Sequence, residues 1–244
     1  MLNYSPSCSN LQHTKFNNLK HMKTLTKEMQ HNLTPEKCVQ LLKDGNKRFL
    51  NNLKFNRNLL QQVNETSDGQ HPFAFILSCI DSRTSAELIF DQGLGDVFSC
   101  RIAGNILNED ILGSMEFACK VAGSKVVVVL GHSKCGAVKG ACDAVKLGNL
   151  TTLLSKLQPA VDKEDTEKTN RTASNPEFVE KVARLNVHMI MHEIPRRSNI
   201  IAEMLDKGEI AIIGGMYDVE TGVVDFYEEK IMTGENFNLS DMEK

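Results

Sequence analysis

The sequence predicts an α/β fold in which helices cover both faces of a parallel sheet and one antiparallel strand closes an edge. Three observations predict it. Short runs suited to strands buried on both faces recur at Phe73–Cys79, Asp96–Ile102, Lys125–Gly131 and Glu209–Gly215. Stretches of helical period lie between them, and parallel strands need such crossovers. Near the end, Asp218-Val-Glu-Thr-Gly222 offers a turn before Val223-Val-Asp-Phe-Tyr227, so the chain reverses and adds an antiparallel strand.

Taken in order, the elements have local causes. Thr34-Pro35 supplies an N-cap and a first-turn proline, and the spacing of Cys38, Leu41, Leu42 and Phe49 continues a helix from there. The α/β domain is therefore expected over 34–230, between an N-terminal extension (1–33) and a short tail (231–244). Asn108 can cap a helix with Glu109 and Asp110 in its first turn and Ile111, Met115, Ala118, Cys119 and Ala122 on one face. The charged stretch Asp162 to Lys168, followed by Asn170 to Asn175, reads as a solvated loop. A helix from Pro176 to His192 is expected to stop before Pro195, and another to run from about Ser198 to Lys207.

Composition narrows the class. With 244 residues, 41% hydrophobic, the chain buries about 70–75% of its unfolded surface and needs no disulfide staples. A net charge of −3 and the lack of a basic, aromatic-interleaved stretch argue against nucleic acid as a partner. No apolar run approaches the roughly 20 residues that span a bilayer, so no membrane partner is expected. Seven cysteines scattered through apolar segments suit a reducing compartment, which makes the cytoplasm the expected location. The first 33 residues lack the apolar core of a secretory signal. They carry four lysines and no acid before Glu28, so an organellar targeting segment is the alternative to a disordered tail.

The chemistry-bearing residues gather where an open parallel sheet places its ligands, at the carboxyl ends of strands. Cys79, Asp81, Ser82 and Arg83 follow the first strand, and His132 and Cys135 follow the third. Cys79, His132 and Cys135 form a Cys₂His set that suits Zn²⁺, and three protein ligands leave a fourth place for water. The metal lowers the pKa of such a water to about 7. Each part alone has a bland reading: a strand cysteine is usually a small hydrophobe, and an Asp-x-Arg pair is often a surface ion pair or a cap.

Together these residues resemble the β-class carbonic anhydrases, whose signatures are Cys-x-Asp-x-Arg and His-x-x-Cys. The resemblance runs from Leu33-Thr-Pro through Gly45-Asn-Lys-Arg-Phe49, Ser78-Cys-Ile-Asp-Ser-Arg83, Phe98-Ser-Cys-Arg-Ile-Ala-Gly-Asn105, Gly113-Ser-Met-Glu116 and Gly131-His-Ser-Lys-Cys-Gly-Ala137 to Gly215-Met-Tyr-Asp-Val219. It implies a zinc enzyme that interconverts carbon dioxide and bicarbonate, with Cys79, His132 and Cys135 as ligands and Asp81 with Arg83 as the catalytic dyad. It also implies four parallel strands plus one antiparallel, and a homodimer or homotetramer. Some relatives close when bicarbonate fills a pocket of Trp, Arg and Tyr and the Asp becomes a fourth ligand. Here Arg101 and Tyr217 match that pocket, but Ile76 stands where the Trp would be and the chain has no Trp, so the open state of Asp81 is expected.

Rival readings are a zinc-stabilised scaffold without turnover and a hydrolase of a CO₂ analogue such as carbon disulfide. His188 and His192 have metal-binding spacing but no third ligand near in sequence, so packing is expected of them. Cys100, Cys119 and Cys142 are expected in the core, and Gly214-Gly215 at a close strand contact.

Overall fold

The computed structural model describes residues 24–237. Its sheet comprises β1 (Ala74–Ser78), β2 (Val97–Arg101), β3 (Val126–His132), β4 (Ala211–Tyr217) and β5 (Val224–Phe226), in the order β2-β1-β3-β4-β5. The first four strands are parallel and β5 is antiparallel to β4, which is the architecture expected. Alternating side chains divide the core in two. Phe75, Leu77, Val127, Val129 and Ile212 face one layer, while Ala74, Ile76, Val126, Val128 and Ile213 face the other.

Before the sheet lie α1 (Lys27–His31), α2 (Pro35–Leu50) and α3 (Leu59–Glu65); α4 (Ala86–Ile89) follows β1. Thr34 caps α2 and accepts from the Lys37 amide, as its sequence promised. Between β2 and β3 runs α5 (Glu109–Glu116), capped by Asn108 and continued by a π-helical turn over Phe117–Val121. The crossover from β3 to β4 carries α6 (Gly136–Cys142), α7 (Gly148–Ser155), α8 (Gln158–Lys163), α9 (Pro176–Arg197) and α10 (Asn199–Asp206).

Four expectations change. The ordered fold begins before Thr34: α1 is capped by Thr26, and Gln30 is buried with its amide donating to the carbonyls of Pro72 and Ala122. Residues 1–23 of the expected extension, and 238–244 of the expected tail, lie outside the described residues. The sheet's pairing also passes the boundary at 230, because Met232 exchanges both backbone hydrogen bonds with Ile212.

Helix α9 does not stop before Pro195 but runs through it to Arg197. A proline in the last turn forgoes one backbone bond, while Ile194 and Pro195 stay buried and the Ser198 amide closes the end on the Ile194 carbonyl. Nor is the charged stretch after α8 merely a solvated loop. Glu164 is 2% exposed, accepts from Thr166 and Glu167, and pairs with Arg171, so one carboxylate organises the turn from inside. Among the described residues, no helix is long and apolar enough to cross a membrane.

Candidate metal centre

The chain goes from β1 to β2 on one side and returns to place β3 on the other, so the crevice at the carboxyl ends of β1 and β3 is the topological switch point where open α/β sheets bind ligands. Cys79 leaves β1 there, His132 ends β3, and Cys135 is the residue that precedes α6 as its N-cap. Their ligand atoms all lie within 4.8 Å of one another, with Cys79 Sγ 4.0 Å from Cys135 Sγ. Two sulfurs each about 2.3 Å from a tetrahedral zinc stand roughly 3.8 Å apart, so the spacing fits the ion.

The three side chains are almost wholly buried, at 4%, 1% and 1% exposure, which is costly for such groups without a partner. His132 Nδ1 meets the Ser133 carbonyl at 2.9 Å, which directs the ring proton to Nδ1 and leaves Nε2 as the lone-pair nitrogen. That Nε2 is buried and has no hydrogen-bond partner, as a ligand atom would be. A hydrogen bond from Cys135 chiefly lowers the Cys79 thiol to about 4 against burial, helped by His132 and by the Gly104 amide, 3.3 Å from the sulfur. Cys135 moves up, held by its hydrogen bond to Cys79 and by burial, so one thiolate is ready and a cation must displace the second proton.

Asp81 lies outside this donor group and is held elsewhere. Arg83 grips it in a fork, Nε on Oδ1 at 2.9 Å and Nη2 on Oδ2 at 2.8 Å, while the Arg83 amide donates to Oδ1. These bonds keep the Asp81 carboxyl well below the usual carboxylate range.

Several supporting roles escaped the sequence reading. Arg101 donates from Nε to the Cys79 carbonyl at 3.0 Å and from Nη2 to that of Asp81, and the Thr84 hydroxyl reaches the same two oxygens. The guanidinium matched to an anion pocket is thus engaged in clamping the segment that carries Cys79 and Asp81. Gly104 adopts φ +68, and a Cβ there would come within 2.8 Å of Leu157, so only glycine brings its amide against the sulfur without strain. Asn186 on α9 braces Gly104 through its carbonyl at 3.0 Å.

Tyr217 pairs in register with His132 and is buried, and Ile76 is fully buried inside the sheet. His188 stacks on Tyr227 and, with His192, lies outside any metal-ligating group among the described residues. Cys119 is buried, whereas Cys100 and Cys142 are only half-buried. Gly214 sits where a Cβ would come within 2.5 Å of Met191 Sδ, the close contact expected of it.

Two thiols and an imidazole at a sheet switch point, beside an ion-paired carboxylate, have the composition of a metal site with one open place in an α/β enzyme rather than of a four-ligand structural site. A family model described as carbonic anhydrase matches residues 74–224. Carbonic anhydrase 2 of Mycobacterium tuberculosis is 34% identical over 199 residues, covering 78% of this chain and 92% of that one. The crystal structure of a β-carbonic anhydrase from the fungus Aspergillus fumigatus superposes with a TM-score of 0.63 at 28% identity, covering 69% of this chain and 81% of that one. A tetrameric β-carbonic anhydrase from Sordaria macrospora gives 0.58 at 25% identity over 66% of this chain and 83% of that one. The chain belongs to the β-class carbonic anhydrases.

Proposed function

We propose that the protein catalyses the reversible hydration of carbon dioxide to bicarbonate and a proton, with zinc held by Cys79, His132 and Cys135. The observation that carries this reading is the pairing of a buried Cys₂His set, whose His132 Nε2 lacks any partner, with a forked Asp81–Arg83 pair beside it. Zinc bound there supplies a Lewis acid that makes a hydroxide nucleophile available near neutral pH. The protein's own groups do the rest. Asp81, ionised at working pH, accepts a hydrogen bond from the nucleophile and turns its free lone pair toward the substrate carbon. Arg83 fixes the carboxylate in that direction and, as a bidentate partner, keeps it from moving onto the cation. Gly104 and Arg101 hold the Cys79 sulfur and backbone, so the dyad and the donor set keep one geometry.

A scaffold role would leave the dyad without a task, and a carbon disulfide hydrolase would use the same groups with different access. The test is stopped-flow CO₂ hydration on purified protein of measured zinc content, with carbon disulfide as a second substrate. We expect rapid CO₂ hydration, lowered on the order of 10²-fold or more in Asp81→Asn, which keeps the shape but loses the anionic acceptor. An Asp81→Asn variant as fast as the parent would overturn the mechanism. Turnover of carbon disulfide alone would move the activity to the analogue.

A further inference from the structure

A second concave site lies away from the metal centre, on the outer side of α9. It is a cavity of about 490 Å³, within the range of small-molecule sites, bounded by α9, the end of α8 and the turn after β5. It shares no lining residue with the candidate metal centre, and the reading of one does not depend on the other.

We propose that this cavity binds a small organic phosphate. Lys163, Lys230 and Arg196 are the cations of its rim, all exposed, with the imidazole of His192 beside them, and Glu193 is the single acid among the lining residues. Lys163 and Lys230 have no carboxylate within ion-pair distance among the described residues, although carboxylates are more numerous than cations in the whole chain. Arg196 reaches Glu193 at 3.5 Å, an exposed pair of little strength that an incoming dianion would outcompete. Unpaired cations around a concavity focus a positive field into it.

The floor is of a different character. Leu185, Met189 and the ring of His188 form it, and His188 is stacked on Tyr227 with ring centroids 4.4 Å apart and planes 24° from parallel. Burial, and after it the charges of Lys230, His192 and Arg184, lower the His188 ring to about 4, so at physiological pH it offers a neutral, planar surface. A cationic rim over an apolar, aromatic floor suits a ligand with a phosphate at one end and a planar or apolar body at the other. Inorganic phosphate would leave most of the volume unfilled.

The test uses the zinc-loaded protein as purified and isothermal titration with AMP, adenosine and inorganic phosphate. We expect saturable AMP binding that weakens with added salt and exceeds that of either fragment. In the double variant Lys163→Ala/Lys230→Ala the AMP affinity should fall at least about tenfold, with zinc content and CO₂ hydration unchanged. Absence of saturable AMP binding at millimolar concentration, adenosine binding as tightly as AMP, or a double variant that binds AMP like the parent would each overturn the proposal. Because the readout is binding, it stands or falls separately from the activity at the metal centre.

Discussion

Gly104 shows how much of the centre is made by groups whose role no motif states. Its amide holds the Cys79 sulfur from 25 positions away, Arg101 grips the Cys79 carbonyl from 22 away, and Asn186 braces Gly104 from 82 away. Cys79, Asp81, Arg83, His132 and Cys135 were legible because each pair sits within a few residues on one strand end. The brace was not, because only the folded crossover brings α9 beneath it. Ligand removal should act on metal content directly: His132→Ala and Cys135→Ser should retain little zinc by metal analysis after dialysis, and full stoichiometry in both would refute the assignment. The pH behaviour follows from the same residues. Asp81's carboxyl is depressed in the folded state, so its contribution to stability is complete above the ordinary carboxylate value of about 4 and is lost only as pH falls below it. Arg101 is engaged on two carbonyls and Ile76 is buried inside the sheet, so two of the three positions matched to the anion pocket are committed elsewhere. The loss of kcat/KM on the acid side should therefore follow a single proton and should not deepen with bicarbonate. A steeper, bicarbonate-dependent collapse would show that Arg101 and Tyr217 form a lock without the Trp.

Strands were the most legible elements, since the unbroken apolar runs Phe73–Leu77 and Val126–Leu130 announce burial on both faces, and the structure places β1 and β3 within a residue or two of them. Legibility failed where one polar side chain decides the outcome. Lys27–His31 looks too short and too polar to fold, yet Gln30 is buried at 6% exposure and its amide bonds Pro72 at 2.7 Å and Ala122 at 2.8 Å, pinning α1 across the loops that open β1 and β3. Glu164 does the same for the turn after α8. In both cases the partners include backbone groups, which a sequence does not mark as special. Gln30→Ala should therefore destabilise the protein by about 1–2 kcal/mol, because it strips a donor from two carbonyls in a buried setting. Urea unfolding should show a lower midpoint at an unchanged slope. An unchanged midpoint would mean that α1 rests on the domain without stabilising it.

At the scale of the molecule, the two faces of the sheet are covered and its two edges are β2 and the shorter β5. β5 pairs only with β4 over three residues, whereas the five-residue β2 pairs only with β1 and leaves its outer backbone groups open among the described residues. Beside that edge Phe117 is 52% exposed and packs edge-on against Phe98 with centroids 6.2 Å apart, and Val121 is 72% exposed. A bare strand edge flanked by apolar side chains is a surface that soluble proteins normally pair or cover. A second copy meeting the first through this edge would satisfy both at once, since an isologous contact presents the same strand and the same phenylalanines from each side. We therefore expect an even multiple of 27.2 kDa by light scattering at micromolar protein. Phe117→Glu puts a charge into that contact on both copies and should shift the population toward smaller species, with far-UV circular dichroism unchanged. A parent protein that runs as a clean monomer with full activity would show that the β2 edge is tolerated bare, and a Phe117→Glu variant with unaltered mass would place the interface elsewhere.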